Sequence, residues 1–516
     1  MPDLRQSISN LGFYLSSWLD LSHGLHSYIV DPVRSQLAFI EPDSASQGAL
    51  LLGYLKLYEK TGSQEYLDNA LKCGEWLVSN YIWEANIFYN SCLEHKPGSE
   101  ETYASLFGNA YATLALTRLC SVLKKQNMNY NRFFNVAKNN IERFIIAKCW
   151  DYKKSFLEFS HNTMLFNLPA AATTIRAVIR YSLLVNEPSM ITDYCIPTAI
   201  QLLRFQYKDG CFAMDEKDEI SPLFKCAFTL KGLTEMCEIK QDEKVVERLK
   251  DAVSFLDKSI HPTEKLYYYG YRGNTFLKYP LYVANSALIA STIKQLAPLG
   301  VKSNLADSVI ESVLSRQYSN GALPSYVGFC NVLYEIGEKP KQPLWQDVLP
   351  CPAWNAFAFE SLVNLLPAKV ELPLPSADFP CTYESKDYSI TERNSTVVFF
   401  AKDGSVAAKW FKGHTNWLFG KLYITPVEEK KKVVKKIPKK EVKAPKAKKK
   451  AKTAKKAAKV KTELQKKAKE AKPVEQQQQV PQLTQQTPTP KEQIPPVQPV
   501  IQTEKPKRSF FGLFRR

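Results

Sequence analysis

RFQYKDGCF (204–212) and SRQYSNGAL (315–323) carry the same arrangement: Gln, an aromatic residue, a short gap, Gly, then an apolar residue. Each follows a run with helical spacing, and the two lie about 110 residues apart, in the range of two units of a helical repeat. Gln and the aromatic residue are expected to finish the last helical turn. Gly is expected to take the positive φ that ends a helix and turns the chain. The repeat unit is then roughly 55 residues, one helical hairpin per unit.

Working outward, helical periodicity dominates residues 1–370. QGALLLGYLKLYEKTG (47–62) runs into SQEYLDNALKCGEWLVSNYI (63–82). Segments 101–123 and 132–150, 167–185 and 191–206, 222–239 and 243–260, and 282–297 and 305–318 form further pairs, and CPAWNAFAFESLVNLL (351–366) stands alone. The first member of each pair is apolar on nearly all faces, whereas the second carries a charged face. A helix that is apolar all round is buried, and one with a polar stripe meets water. Inner and outer helices therefore alternate. The amphipathic helix near 4–20 supplies the missing outer partner of 351–366. The expected fold is all-α, an (α/α)6 toroid, with helix 4–20 beside 351–366 and no strand between 101 and 260.

Inner-to-outer links are short (KTGS, CEIKQDE, APLGVKSN). Outer-to-inner links are mostly long, at 83–100, 151–166, 261–281 and 319–350. Long loops within a compact domain are usually functional. All fall where the inner helices begin, and helix N-termini favour anionic or strongly polar ligands. The expected site is a funnel on that face.

STVVFFAKDGSVAAKWFKG is β-branched and aromatic around Asp403-Gly404, a hairpin signal. Residues 371–425 are read as a small β appendix packed on a toroid domain of residues 1–370. The net charge of +18 resides in the tail: residues 426–516 carry about +19 and the body is near neutral. The Lys-rich then Gln/Pro-rich composition of 426–516 predicts disorder, ending in a basic-aromatic segment, SFFGLFRR. This tail is expected to contact an anionic membrane surface or nucleic acid. Eleven cysteines without CxxC or zinc-site spacing read as buried, reduced thiols. No signal peptide and no uninterrupted apolar span is visible, so the expected location is cytoplasmic, with the tail as a peripheral membrane contact.

The alternation of helices and the paired Gln206/Gly210/Phe212 and Gln317/Gly321/Leu323 resemble the six-hairpin glycosidase and terpenoid-cyclase-like toroids. Residues 43–77 look like a hairpin from N-acylglucosamine epimerases, uronyl epimerases and unsaturated-glycoside hydrolases. The resemblance implies a sugar or uronate substrate and hydrolase, lyase or epimerase chemistry. The DxDD of terpene cyclases is absent, the nearest acidic cluster being MDEKDE (214–219). The zinc site of lanthionine cyclases and prenyltransferases is also absent.

Several residues at the expected mouth have chemistry suited to sugars. Asp215 and Asp218 offer paired carboxylates for general acid–base work, against a capping role for the helix starting near Ser221. Asp43 is either an N-cap or a funnel carboxylate. KLYYYGYRGNTFLKYP (265–280) brings Tyr269 for stacking, Tyr271 for proton transfer, and Arg272 and Asn274 for polar contacts, against a loop that only covers the barrel end. Asp347, Trp345 and Trp354 lie at the next mouth position, where core packing competes for Trp354. His161, near Glu158, is a candidate base and Glu101 a candidate contact; solvated or capping roles compete. No cofactor is implied. Two function classes stand: a carbohydrate enzyme, or a non-catalytic scaffold or binding toroid recruited by its tail. A terpenoid or prenyl enzyme is a third.

Overall fold

The structure, a computed structural model, describes residues 3–31, 36–40, 42–88, 105–160, 163–215, 220–327, 349–384, 388–415 and 417–419. Asp3 accepts the Arg5 amide and starts α1 (Leu4–Ser17). Asp43 accepts the amides of Ala45 and Ser46 and starts α2 (Ser44–Thr61), which Gly62 closes in a left-handed conformation. α3 (Gln64–Ser79) returns outside it. α4 (Leu106–Lys125) pairs with α5 (131–149), which has a π-helical stretch at Ile141–Ile146. α6 (Leu168–Val185) pairs with α7 (191–204), whose first turn is also π-helical. α8 (Leu223–Ile239) and α9 (Glu243–Lys258) follow, then α10 (Ala284–Gln295), α11 (Ala306–Leu314) and α12 (Pro352–Val363).

The even-numbered helices pack in the order α2, α4, α6, α8, α10, α12 and back to α2, and each has an odd-numbered helix outside it. Their burial follows the sequence pattern. In α2 every residue from Ser44 to Leu55 is buried, whereas α9 buries only the stripe Val246, Leu249, Ala252, Val253, Phe255 and Leu256. The fold is an (α/α)6 toroid. α1 lies beside α12, with Gly12 against the Phe359 ring and its carbonyl accepting from Tyr54 Oη at 3.1 Å.

The repeated motif links neighbouring outer helices. Gln206 Nε2 donates to the carbonyls of Gly210 (2.9 Å) and Arg248 on α9 (2.8 Å). Gln317 Nε2 donates to Gly321 (2.8 Å) and to Ser7 on α1 (2.9 Å). α1 thus stands to α11 as α9 stands to α7, which closes the ring. Both glycines have positive φ (100° and 91°), and a Cβ would strike the carbonyl of Asp251 or Asn10. One detail of the sequence expectation is corrected. The helices end at Arg204 and Leu314, and each Gly closes a separate turn further on, with its amide on Tyr207 or Tyr318.

A second correction concerns strands between 101 and 260. Short antiparallel pairs occur at Trp150–Asp151 with Ser155–Phe156 and at Glu158–Ser160 with Thr163–Leu165, and Ser221–Pro222 pairs with Gly270–Arg272. They sit in outer-to-inner links, where a chain crossing the ring's end satisfies its backbone groups by local pairing. The helical hairpins are unaffected.

The expected hairpin is part of a larger sheet: β1 (Cys381–Glu384), β2 (Tyr388–Glu392), β3 (Thr396–Ala401), β4 (Val406–Phe411) and β5 (Leu418–Phe419), antiparallel in sequence order. Asp403-Gly404 turns β3 into β4. Trp410 stacks on Trp18 at 5.1 Å and Phe399 meets Tyr28 edge-on at 4.9 Å. Beneath them the fully buried Glu392 accepts from Asn320 (3.2 Å) and pairs with Lys412 (3.6 Å). Burial pushes its carboxyl up to about 7 despite Lys412. The nine described cysteines are free and buried. Leu106–Lys125 and Leu168–Val185 are long and apolar enough to cross a membrane, but both are buried inner helices of the ring.

Candidate functional site

The starts of the inner helices place aromatic side chains together. Ser105 caps α4 by accepting the Gly108 amide (3.2 Å), and its hydroxyl donates to Glu158 (2.8 Å). Phe107, Phe224 and Trp354 therefore project from the first turns of α4, α8 and α12, with Phe357 one turn on. All four are half-buried. Phe107 meets Phe228 at 5.0 Å, and Phe357 lies 5.5 Å from Phe228 and 5.2 Å from Tyr111. Trp354 lies 6.0–6.3 Å from Tyr282, Tyr326 and Phe224. Tyr269, also half-buried, stacks on Tyr282 at 5.5 Å. The result is a shelf of half-buried rings.

The sequence candidates separate against this shelf. Tyr269 and Trp354 belong to it. Asp43 lies at the same face as the α2 cap: burial pushes its carboxyl up, against hydrogen bonds from Ser46 and Ala45. Asp215 is held by a backbone bridge to Asn167 at the start of α6, so its place is beside α6 rather than at the cap of the helix near Ser221. That helix begins at Leu223, without a side-chain cap. Tyr271, Arg272 and Asn274 form a hairpin over outer helix α9. The Tyr271 ring packs on Phe255 (4.9 Å) and Phe276, and its hydroxyl donates to Asp209. Burial and Asp209 push that phenol well up, while Arg272 and Asn274 are exposed. Asp218, His161, Asp347, Glu101 and Trp345 lie outside the described residues.

The shelf does not open onto a hollow axis. Behind Phe228 and Phe357 stands Tyr111, whose hydroxyl donates to Glu360 Oε2 (2.5 Å). Glu360 also accepts from Lys231 Nζ (2.9 Å) and Arg176 Nη2 (3.3 Å), and all three charged side chains are buried. Burial raises the Glu360 carboxyl, but Lys231 and Arg176 outweigh it and hold it below its ordinary range. Burial also pushes the Lys231 ammonium down, against Glu360. Beyond this layer, toward the inner helices' C-terminal ends, lies a cavity of about 260 Å³. Its wall carries further pairs: Arg176–Glu235 (2.9 Å), Arg180–Glu235 (3.0 Å) and Arg118–Glu59 (2.9 Å).

Sequence reasoning missed this charged layer. Its trace was legible: Arg176 in AAATTIRAVIRY, Lys231 in CAFTLKGLTEM and Glu360 in NAFAFESLV are charges inside helices assigned to the core. A charge at such a position must be paired or functional. Among the described residues, no group of His, Cys, Asp and Glu converges to hold a metal ion.

No family model matches the sequence, and no curated protein matches it. Solved structures do resemble the fold. The cellobiose 2-epimerase of Bacillus thermoamylovorans B4167 superposes with a TM-score of 0.51 at 10% identity, covering 68% of this chain and 95% of that one. A sugar epimerase from a ruminal bacterium gives 0.52 at 15% identity, over 71% and 99%. An unsaturated glucuronyl hydrolase specific for heparin gives 0.50 at 14%, over 70% and 95%. At these identities the likeness establishes the toroid fold.

Proposed function

We propose that this chain is a carbohydrate-active toroid that binds a sugar or uronate against the aromatic shelf at the inner-helix N-terminal face. The observation that carries this reading is the set of half-buried rings Phe107, Phe224, Tyr269, Trp354 and Phe357 gathered at one end of the ring. Aromatic faces suit the C–H faces of sugar rings, burying apolar surface while leaving hydroxyls at the edge to polar groups. The toroids named above, two epimerases and a hydrolase, are in accord with such a ligand. Turnover of glycoside hydrolase, lyase or epimerase type requires acid and base groups beside the shelf. In this reading they come from Asp215, Asp218, Asp347 or His161, with Glu101 as a substrate contact.

A second reading, binding without turnover, draws on one observation. Of the described carboxylates at this face, Asp43 and Glu158 are committed to helix starts. Titration of the full chain with neutral sugars, disaccharides and uronates, followed by Trp fluorescence, tests the binding. Product analysis by NMR tests turnover. Saturable binding that Trp354→Ala weakens supports the sugar site, with product formation marking an enzyme and its absence a binding protein. A full panel without binding overturns both.

For the tail we propose recruitment to an anionic surface, from about 21 Lys against about 5 Glu in 426–472 and the terminal SFFGLFRR. Residues 420–516 lie outside the described residues. Liposome flotation of the full chain, of a 427–516 deletion and of Phe510/Phe511/Phe514→Ser tests it. Failure of the full chain to float with anionic vesicles at low salt overturns the membrane reading.

A further inference from the structure

The five-stranded sheet has two faces with different neighbours. On the inner face Tyr383, Ile390, Val397, Phe399 and Trp410 are buried, with Phe399 against Tyr28 and Trp410 against Trp18. Side chains alternate along a strand, so the residues between these point away from the ring. One outer row crosses all five strands: Thr382, Thr391, Val398, Lys409 and Leu418. Phe411, opposite Thr396, flanks it on one side and the pair Phe400–Val406 on the other. Leu418 is 53% exposed, Val406 44% and Phe411 38%, while Val398 and Phe400 are half-buried. The Lys409 ammonium lies over the Phe411 ring, 4.6 Å from its centre.

Size and charge select the occupant. Strand spacing and rise make the face roughly 20 Å by 20 Å, on the order of 400 Å². A stable dimer buries about 800 Å² on each partner, so a second copy would be poorly held here. Binding to a lipid surface instead grows with each buried apolar side chain and each cation. Lys409 has the interfacial arrangement, its stem among apolar neighbours and its charged head free to reach outward. Among the described residues, the outer face and its turns carry Arg393, Lys402 and Lys409 against Glu384 and Asp403. Asp403 is already bonded to Ser405 within its own turn. The chain path adds a further argument. β5 ends at Phe419, and the Lys run of the tail opens at Lys430. A chain spans at most about 3.6 Å per residue, so the first of those lysines lies within about 40 Å of the sheet. A surface that attracts the run is thereby held near the patch at high effective concentration.

We propose that the outer face of this sheet is the part of the body that contacts an anionic lipid bilayer. Phe411, Leu418 and Val406 enter the headgroup boundary, and Lys409 meets the lipid phosphates. The inference rests on recruitment of the tail to such a surface, and it names the surface of the folded body that follows the tail there. It is independent of whether the aromatic shelf binds sugar.

The test uses the full-length protein and vesicles of phosphatidylcholine with phosphatidylserine, with partition measured by flotation over a series of lipid concentrations. Phe411→Ser and Leu418→Ser together should weaken partition by about tenfold or more, the worth of two partly buried apolar side chains. Lys409→Gln should weaken it by about fivefold. Leu183→Ser removes a leucine of similar exposure (54%) from α6 of the toroid and should leave partition unchanged. Melting temperature checks that each variant folds; if the double variant does not, Lys409→Gln and Val406→Ser decide. Sheet variants that partition as the wild type does overturn the inference and leave the tail's recruitment standing. A loss in Leu183→Ser as large as that in the double variant shows an effect not local to the sheet and likewise overturns it. If the full chain does not partition at all, the tail's recruitment falls and this inference with it.

Discussion

The two ends of the toroid are built from the same six inner helices and differ in what those helices present. The N-terminal ends show rings: Phe107, Phe224, Trp354 and Phe357, half-buried. The C-terminal halves show charges around a cavity: Arg176, Lys231 and Glu360, buried, and Glu235, half-buried. Tyr111 belongs to both, with its ring against Phe357 and its hydroxyl on Glu360. The difference teaches that the axis of this ring is not one funnel. The apolar end tolerates exposure because rings are at home at a half-wet boundary. The charged end holds together only because each carboxylate is matched, since a buried ion without its partner is far costlier than a missing apolar contact.

Glu360→Ala should break the comparison most severely. It leaves Arg176 without one partner and Lys231 without its carboxylate, and should cost about 3–5 kcal/mol in chemical denaturation. Replacing Arg176, Lys231, Glu235 and Glu360 together by apolar residues of similar volume should cost far less, which the same measurement would check. If the single variant costs no more than the combined one, pairing is not what holds that end.

The buried pair under the sheet gives a third environment. Glu392 is shifted up to about 7 by burial, against an ordinary carboxylate at 4.5. The folded state therefore holds a proton that the unfolded state has released between these values. Stability contributed by this group is present at low pH and falls as pH rises from 4.5 to 7, by on the order of 3 kcal/mol. Glu360, held low by Lys231 and Arg176, has the opposite sign: its contribution is lost as pH falls below the ordinary carboxylate value. Denaturation of wild type and Glu392→Gln across pH 4.5–7 should show the slope in the first and its loss in the second.

Trp354→Ala should reduce saccharide binding by about tenfold, the scale of one stacked aromatic contact. Arg272→Ala should have the smallest effect. The exposed side chain lies over α9, and its removal should change stability by no more than about 0.5 kcal/mol. A larger loss of saccharide binding in Arg272→Ala than in Trp354→Ala would move the site off the shelf and onto the hairpin.

Much of this was legible in the chain. The alternation of all-apolar and one-sided helices gave the ring, because burial on every face demands neighbours on every face. RFQYKDGCF and SRQYSNGAL marked equivalent places in it. The sequence did not tell that Gln206 and Gln317 reach across to the next outer helix, since their acceptors, on Arg248 and Ser7, are respectively near and far in the chain. Tyr269 and Tyr271 read alike, two residues apart in one aromatic loop. Only their contacts in the folded chain separate them: Tyr269 stacks on Tyr282, next to the start of α10, and Tyr271 packs on Phe255 of outer helix α9.

Periodicity, charge placement and turn residues by themselves determined the toroid, its order of helices, the turn at Asp403-Gly404 and the location of the positive charge in the tail. These are local properties, set by which face of each segment can meet water. Tertiary structure alone decided that Arg176, Lys231, Glu235 and Glu360, on three different helices, form one network. It also decided that Phe107, Phe224 and Trp354 form one shelf. A helix fixes the direction of its own side chains, but which foreign side chains they meet depends on how six helices close into a ring.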